Sequence, residues 1–351
     1  MLIYACNLTG VTGVLDTYIS CIWHLEYSGM GDFQIEAAAT AENIAFLQEG
    51  AYLVREQDIS GSATYRNVMV LESVEFKYDA EQGETIIVKG RGLKSILSRR
   101  IIWEQITDEM KVDLFIRKVV TENAISPSIS ARAIPDLTLG AYPGMDEVME
   151  AQVFSENLAD WIIGVCETYG IGWDIYITGG KYVFDIIQGT DRSTGSSPVV
   201  FSPPFDNLLS FDYSHTREGF KNAALVGGEG EGTSKRTASV GTASGLNRFE
   251  MYVDGSSVSS NGEIITLATY LNLLKQYGKE ELAKIASSTE KFDADINTNG
   301  VYKMGTDFFL GDIVQVQTEH GITASSRLIE IIESVSDNGT EAVGTFSEWE
   351  V

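Results

Sequence analysis

The chain has 351 residues, more than one small core needs and enough for roughly two or three compact modules. Hydrophobic residues make up 44% and charged residues 21%, which excludes general disorder. Fifty acidic against 25 basic residues leave a formal charge of −25, which repels phosphates and excludes a nucleic-acid binder of the usual kind.

The N-terminus, "MLIYACNLTGVTG", has neither a basic lead before an apolar run nor a small-residue cleavage pattern, so no secretory signal is expected. No apolar run approaches the roughly 18 residues that span a bilayer, and a soluble product of the cytoplasm is expected. Cys6, Cys21 and Cys166 are scattered and odd in number, which points to buried free thiols.

The first hundred residues read as strands. Phe33 and Ile35 alternate with Gln34 and Glu36; Val68, Val70, Val74, Phe76 and Tyr78 share one parity, with Glu75, Lys77 and Asp79 on a wet opposite face. "DAEQG" supplies a hairpin turn between two alternating runs. "TAENIAFLQEG" predicts one short helix, with Thr40 as N-cap and Gly50 as stop.

From about residue 101 helices enter. Thr107 is expected to cap a helix with Asp108 and Glu109 in its first turn and Val112, Phe115, Ile116 and Val119 as its apolar stripe. Ser155 is expected to open a second, with Leu158, Trp161, Ile162, Val165 and Tyr169 buried and Gly170 ending it; a hairpin across Gly179–Gly180 follows. "QGTDRSTGSSPVVFSPP" marks the next boundary. The longest helix is expected over about 264–287, with Leu267, Leu271, Leu274, Leu282 and Ile285 at helical spacing and Gly278 marking a close contact. Strands then return, with a turn at Asp337, Asn338 and Gly339.

"AALVGGEGEGTSKR", residues 223–236, has the look of a phosphate loop. A P-loop, however, places its lysine directly after the last glycine and then enters a helix. Here Thr233 and Ser234 separate Gly232 from Lys235, and Glu229 and Glu231 stand where phosphate would lie, so a β-turn or flexible loop is expected. Gly90 and Gly92 form part of a dinucleotide fingerprint, but Ser95 holds the third position, and a strand running into a turn is the better reading.

The basic cluster Lys89, Arg91, Lys94, Arg99 and Arg100 reads as a solvated face or a docking point for an acidic partner. His24, His215 and His320 belong to no metal-binding spacing. "DADINTNG", residues 293–300, offers Asp293, Asp295 and Asn297 at the alternate positions calcium needs, but lacks the closing Glu, and a polar strand end is the plainer reading. No G-x-S-x-G and no selected carboxylate pair appears. No catalytic, cofactor-binding or metal residue is therefore assigned, no cofactor is expected, and the chain is not expected to be an enzyme.

Six blocks, "GDFQIEA", "YLVR", "LESVEFKYDAEQGETIIVKGRGLKSILSRRII", "VVFSPPFDNLLSFDYSHTREGFKNAALVGGEGEG", "RFEMYVDG" and "FFLGDIVQVQTEHG", together resemble siphophage tail-tip hub proteins, minor tail proteins similar to phage baseplate hubs. The resemblance implies an α+β, β-rich fold with two β-barrel-like tube domains and a mixed α/β domain between them: residues 1–100, 101–200 and 201–351. It further implies a homotrimeric, pseudo-sixfold ring at the virion's tail tip, joining the tail tube and distal tail ring to the tip. Its partners would be the distal tail protein ring, the tape measure protein and tip fibre or receptor-binding proteins, with DNA passing through without specific binding.

Two rival readings are a carbohydrate- or peptidoglycan-acting enzyme, for which Trp173 and Trp349 would be exposed aromatics, and a carbohydrate-binding module. The latter needs an aromatic platform, whereas most of the five tryptophans are expected in the core.

Overall fold

The computed structural model describes residues 1–61, 63–81, 83–262, 264–286, 290–297, 300–317, 323–336 and 339–347. Strands dominate, as the β-rich α+β reading requires, and most belong to one 13-stranded sheet. From one end its main path runs Leu208–His215, Glu290–Ile296, Gly339–Phe346, Thr323–Ser336, Ser20–Glu26, Asp32–Ala38, Gly83–Gly92, Met69–Asp79, Tyr52–Arg55, Ile3–Asn7 and Gly10–Leu15. The two strand-rich ends of the sequence thus meet at one antiparallel seam, where Thr323–Ser336 pairs with Ser20–Glu26.

One face of this sheet buries a core drawn from both chain ends, including Trp23, Phe33, Leu53, Phe201, Phe308 and Phe346. A second core lies on the far side of the first-half strands. Val54, Val68 and Val70 join it, while their neighbours Leu53, Met69 and Leu71 face the first core. Alternation therefore makes these strands a wall between two cores, apolar on both faces.

The expected single stripe along the Met69–Asp79 strand is broken by a bulge between Leu71 and Ser73. One extra residue flips every later side chain. Val68 and Val70 face the second core, whereas Val74, Phe76 and Tyr78 continue the face of Leu71 and emerge 37%, 49% and 78% exposed. The hairpin across residues 80–82 forms as expected, apart from Gln82, which lies outside the described residues.

The first helix, α1 (Ala41–Phe46), is capped by Thr40, whose hydroxyl accepts from the Asn43 amide, but it stops before Gly50, at Leu47. Residues 106–111 are a strand, Ile106–Lys111, paired with Val148–Val153, so Thr107 caps nothing. Helix α2 (Val112–Val120) begins after it, with Asp113 in its first turn. Cross-strand pairing outweighs the local cap signal, while the stripe Val112, Phe115, Ile116 and Val119 is buried as read.

Asn157, not Ser155, caps α3 (Leu158–Tyr169), through amide bonds from Ala159 and Asp160; Gly170 ends it in the left-handed region at φ 61°. The hairpin Gly172–Thr178/Lys181–Ile187 turns at Gly179–Gly180 as expected. It belongs to a five-stranded sheet with Leu137–Leu139, Thr64–Tyr65 and Ile59–Ser60.

Helix α4 (Leu267–Ala286) packs on a three-stranded sheet, Thr237–Val240, Ala223–Gly227 and Glu250–Asp254, around a third core of Val226, Val253, Tyr270, Leu273 and Leu274. Leu267 is 57% exposed and sits outside that core. Gly278 is the close contact expected of it: a Cβ there would lie 2.5 Å from Val226 Cγ2 and 2.6 Å from Val240 Cγ2. Among the described residues no helix is long and apolar enough to cross a membrane. Asp337 and Asn338 of the expected turn lie outside the described residues; Gly339 there has φ 122°.

Candidate functional site

A cleft of about 830 Å³ opens where the main sheet meets the five-stranded sheet. It is lined by charged groups from distant parts of the chain, among them Arg55, Lys94, Asp174, Arg192, Asp312 and Glu333. Arg55 ends an apolar strand and is only 1% exposed. Its Nε donates to Asp58 Oδ2 at 2.5 Å and its Nη1 to Glu333 across the sheet. Burial alone would lower the Arg55 pKa; Asp58 and Glu333 outweigh it and hold the guanidinium above its ordinary value.

Lys94 is buried too, and its Nζ donates to the carbonyls of Glu26 (2.7 Å), Tyr27 (3.3 Å) and Gly29 (2.6 Å). Desolvation pushes its pKa down to about 8. Asp174 is raised by burial, against the opposing pull of Lys94 and of Arg66, whose Nη1 is 3.4 Å away. Asp312 accepts from the amides of Thr190 (2.8 Å) and Phe309 (2.9 Å) and from Arg192 Nε (2.5 Å).

Tyr27 closes the joint. Its hydroxyl donates to the Ile187 carbonyl at 2.9 Å and accepts from the Gly189 amide at 2.9 Å, and its ring lies so close to Gly172 and Gly311 that a Cβ at either would collide with it. These polar groups are spent on holding loops to one another, which is the chemistry of a joint between packed units. No local pattern marks Arg55, Tyr27 or Glu333 in the sequence; the one cue is an arginine directly after the apolar run "YLV".

The glycine loop is no phosphate cradle. Strand Ala223–Gly227 returns antiparallel as Thr237–Val240, and only a single 3-10 turn, Gly232–Ser234, lies between them. Its base is fastened within the chain: the Glu229 amide donates to the Tyr270 hydroxyl at 2.7 Å, and the Glu229 carboxylate accepts from the Ser260 amide at 2.7 Å. Those Ser260 hydrogen bonds hold the Glu229 pKa below its ordinary value. The Gly228 Cα leaves no room for a Cβ beside Tyr270, which explains one glycine; Gly230, at φ 94°, explains another.

The dinucleotide-like pair has the same kind of origin. A Cβ on Gly90 would collide with the Val70 carbonyl, and one on Gly92 with that of Met30, and a 3-10 turn, Leu93–Arg99, follows. The basic cluster is dispersed rather than one solvated face: Lys94 is buried, Arg91 pairs with Glu72 through two bonds of 2.8 Å, and Arg100 donates to the Arg132 carbonyl at 2.6 Å. Of the five, Lys89 and Arg99 stand exposed.

Asp293 and Asp295 lie in a strand, Glu290–Ile296, not in a calcium loop; Thr298 and Asn299 lie outside the described residues. The three cysteines are free and buried, and desolvation pushes the thiols of Cys6 and Cys21 up to about 12 and that of Cys166 further. Trp173 is fully buried, its Nε1 donating to the Ser28 carbonyl at 2.5 Å, so it is not an exposed aromatic. Trp23 and Trp161 are also core, and Trp103 is 50% exposed. Trp349 and His320 lie outside the described residues.

The same chain path recurs in solved structures. The 43 kDa tail protein of prophage MuSo2 from Shewanella oneidensis superposes with TM-score 0.61 at 13% identity, covering 99% of this chain and 98% of that one. A tail protein from Neisseria meningitidis MC58 gives 0.60 at 14% identity, covering 99% and 96%. Prophage tail protein gp18 from Listeria monocytogenes EGD-e gives 0.51 at 10%, covering 98% and 94%. The fold is that of phage tail proteins. Residues 8–345 match the Siphovirus ReqiPepy6 Gp37-like protein family, and the chain belongs to it. No curated protein matches the sequence.

Proposed function

We propose that this chain is the structural hub of a phage tail tip or baseplate. Three copies form a pseudo-sixfold ring that joins the tail tube and distal tail ring to the tip and lets DNA pass. In this reading residues 1–100 and 201–351 supply the two tube units, 101–200 the domain between them, and the polar joint at Arg55 and Tyr27 holds them as one body.

The observation that carries it is the open main sheet. At one end, Leu208–His215 has a strand partner on one side only among the described residues, and Leu209 beside that edge is 58% exposed. Towards the other end, beyond its pairing with Tyr52–Arg55 at Met69 and Val70, residues 73–78 pair with Gly83–Gly92 alone and present Val74, Phe76 and Tyr78. Open, apolar edges template strand addition by another chain. Different edges joining head to tail make a heterologous contact, which closes into a ring when the rotation allows.

The net charge suits a conduit, since acidic walls keep passing DNA from adhering. Lysis and receptor binding fall to other tail proteins, and purified chain is expected to release no soluble fragments from cell walls. Negative-stain imaging tests the reading: ring-shaped particles are expected, and Phe76→Glu is expected to dissolve them. Compact single-chain particles from both proteins, or fragment release from cell walls, would overturn it.

A further inference from the structure

The seam between Ser20–Glu26 and Thr323–Ser336 carries a cluster that the joint does not use. Glu26 pairs with Glu330 and His24 with Ile332, so His24, Glu26 and Glu330 stand on one face of two neighbouring strands. The imidazole and the two carboxylates each place one ligating atom within 4.8 Å of the others. His24 Nε2 is 3.9 Å from Glu26 Oε1 and 3.9 Å from Glu330 Oε2. Both distances exceed hydrogen-bond length, and Nε2 is shut away from solvent with no hydrogen-bond partner. An orphaned buried nitrogen costs stability unless something occupies the space it faces.

The outer atoms of two of these side chains are fixed. His24 Nδ1 lies 3.3 Å from Asp32 Oδ2, and the Gly31 amide donates to Glu26 Oε2 at 2.9 Å. With the Nδ1 proton given to Asp32, the Nε2 lone pair faces the glutamates, just as a carboxylate behind a metal-binding imidazole orients it. Gly31 likewise leaves Glu26 Oε1 turned towards Nε2. Gly29 makes room for this arrangement, because a Cβ there would collide with the Glu26 carboxylate.

We propose that His24 Nε2, Glu26 Oε1 and Glu330 Oε2 bind one divalent transition-metal ion of the zinc type. One imidazole and two carboxylates suit zinc better than calcium, which prefers an all-oxygen shell. Three protein ligands leave a fourth tetrahedral position for water. Donors about 2.0–2.2 Å from zinc stand roughly 3.4 Å apart, so the two half-buried glutamates need only close inward from their present spacing. The ion would clip a strand from the start of the chain to one near its end. The rival is an imidazolium clasped by carboxylates with no ion.

Titrating zinc chloride into the EDTA-stripped full chain by calorimetry, with thermal melts in parallel, separates the two. One equivalent per chain and a raised Tm are expected, because an ion that binds only the folded state stabilises it. Asp32→Asn, which removes the orienting partner and no ligand, is expected to weaken binding about 10–100-fold. His24→Ala and Glu330→Gln, each checked for folding by circular dichroism, are expected to lose both the heat and the Tm shift. Should His24→Ala misfold, the near-isosteric Glu330→Gln carries the test. No zinc uptake by the wild type would establish the imidazolium clasp, and uptake unchanged in Glu330→Gln would place the ion elsewhere; either overturns the proposal.

Discussion

The seam joint and the outlying unit of residues 223–286 are held together by different means. The joint fastens segments distant in sequence with buried charges: Arg55 meets Glu333, and Lys94 gathers three carbonyls around residues 26–29. The outlying unit packs local elements through the absence of side chains, with Gly278 and Gly228 letting α4 approach its sheet. A buried ion pair is costly to break from one side, whereas a glycine contact is costly to fill. The two regions should therefore fail differently.

The largest effect is expected at the joint. Arg55→Ala leaves Asp58 and Glu333 buried without their cation, and should destabilise the chain by about 3–5 kcal/mol in denaturant melts. Arg55→Leu combined with Glu333→Leu should cost clearly less than Arg55→Ala, because only Asp58, and no longer Glu333 as well, is then left without its cation. Equal losses would mean the pair contributes only packing.

In the outlying unit, Gly278→Ala ought to gain up to about 1 kcal/mol from helix propensity alone. Collision with the branched Val226 and Val240 side chains should reverse the sign and cost about 1–3 kcal/mol. A stabilised variant would show that α4 does not sit so close.

A smaller, pH-dependent effect belongs to the contact between α3 and α4. Glu280 accepts from Gln276 Nε2 at 2.9 Å and faces Glu156, Glu281 and Lys284. Desolvation raises its pKa from 4.5 to about 7. The folded chain then binds more protons than the unfolded chain between these values, so this contribution to stability is full below pH 4.5 and lost as pH rises through 7. Glu280→Gln should flatten that fall and stabilise the chain by on the order of 1 kcal/mol at pH 8, the half-buried site being partly screened. A melt series with an unchanged slope would remove Glu280 as its source.

The smallest change in stability is expected at the open edge. Phe76 is half exposed, so Phe76→Glu should alter the monomer's stability by no more than about 0.5 kcal/mol while abolishing association.

The same contrast governs what was legible in the sequence. The stripe of α2, the Gly170 stop and the Gly179–Gly180 hairpin are local and readable, and a glycine inside a helical pattern flags the tight contact at Gly278 without naming its partners. Thr107 reads locally as a cap, yet residues 106–111 pair with a strand about 40 positions later, a partner that no local pattern reveals. The bulge after Leu71 split a stripe whose parity looked continuous. The joint is hard to read for the same reason, since Arg55 and Tyr27 take their roles largely from distant residues: Glu333 for Arg55, and Gly172, Ile187, Gly189 and Gly311 for Tyr27. The His24 cluster likewise depends on Glu330, which strand pairing alone brings to Glu26. The six ordered blocks nevertheless point to the family, whose match spans residues 8–345.

The central claim is that two unlike open edges of one sheet meet between copies. Light scattering on the purified chain across a concentration series measures it most directly. A species of three times 38.4 kDa that falls to a single chain in Phe76→Glu is the expected result. A mass of 38.4 kDa at every concentration, or an oligomer indifferent to Phe76→Glu, would contradict it.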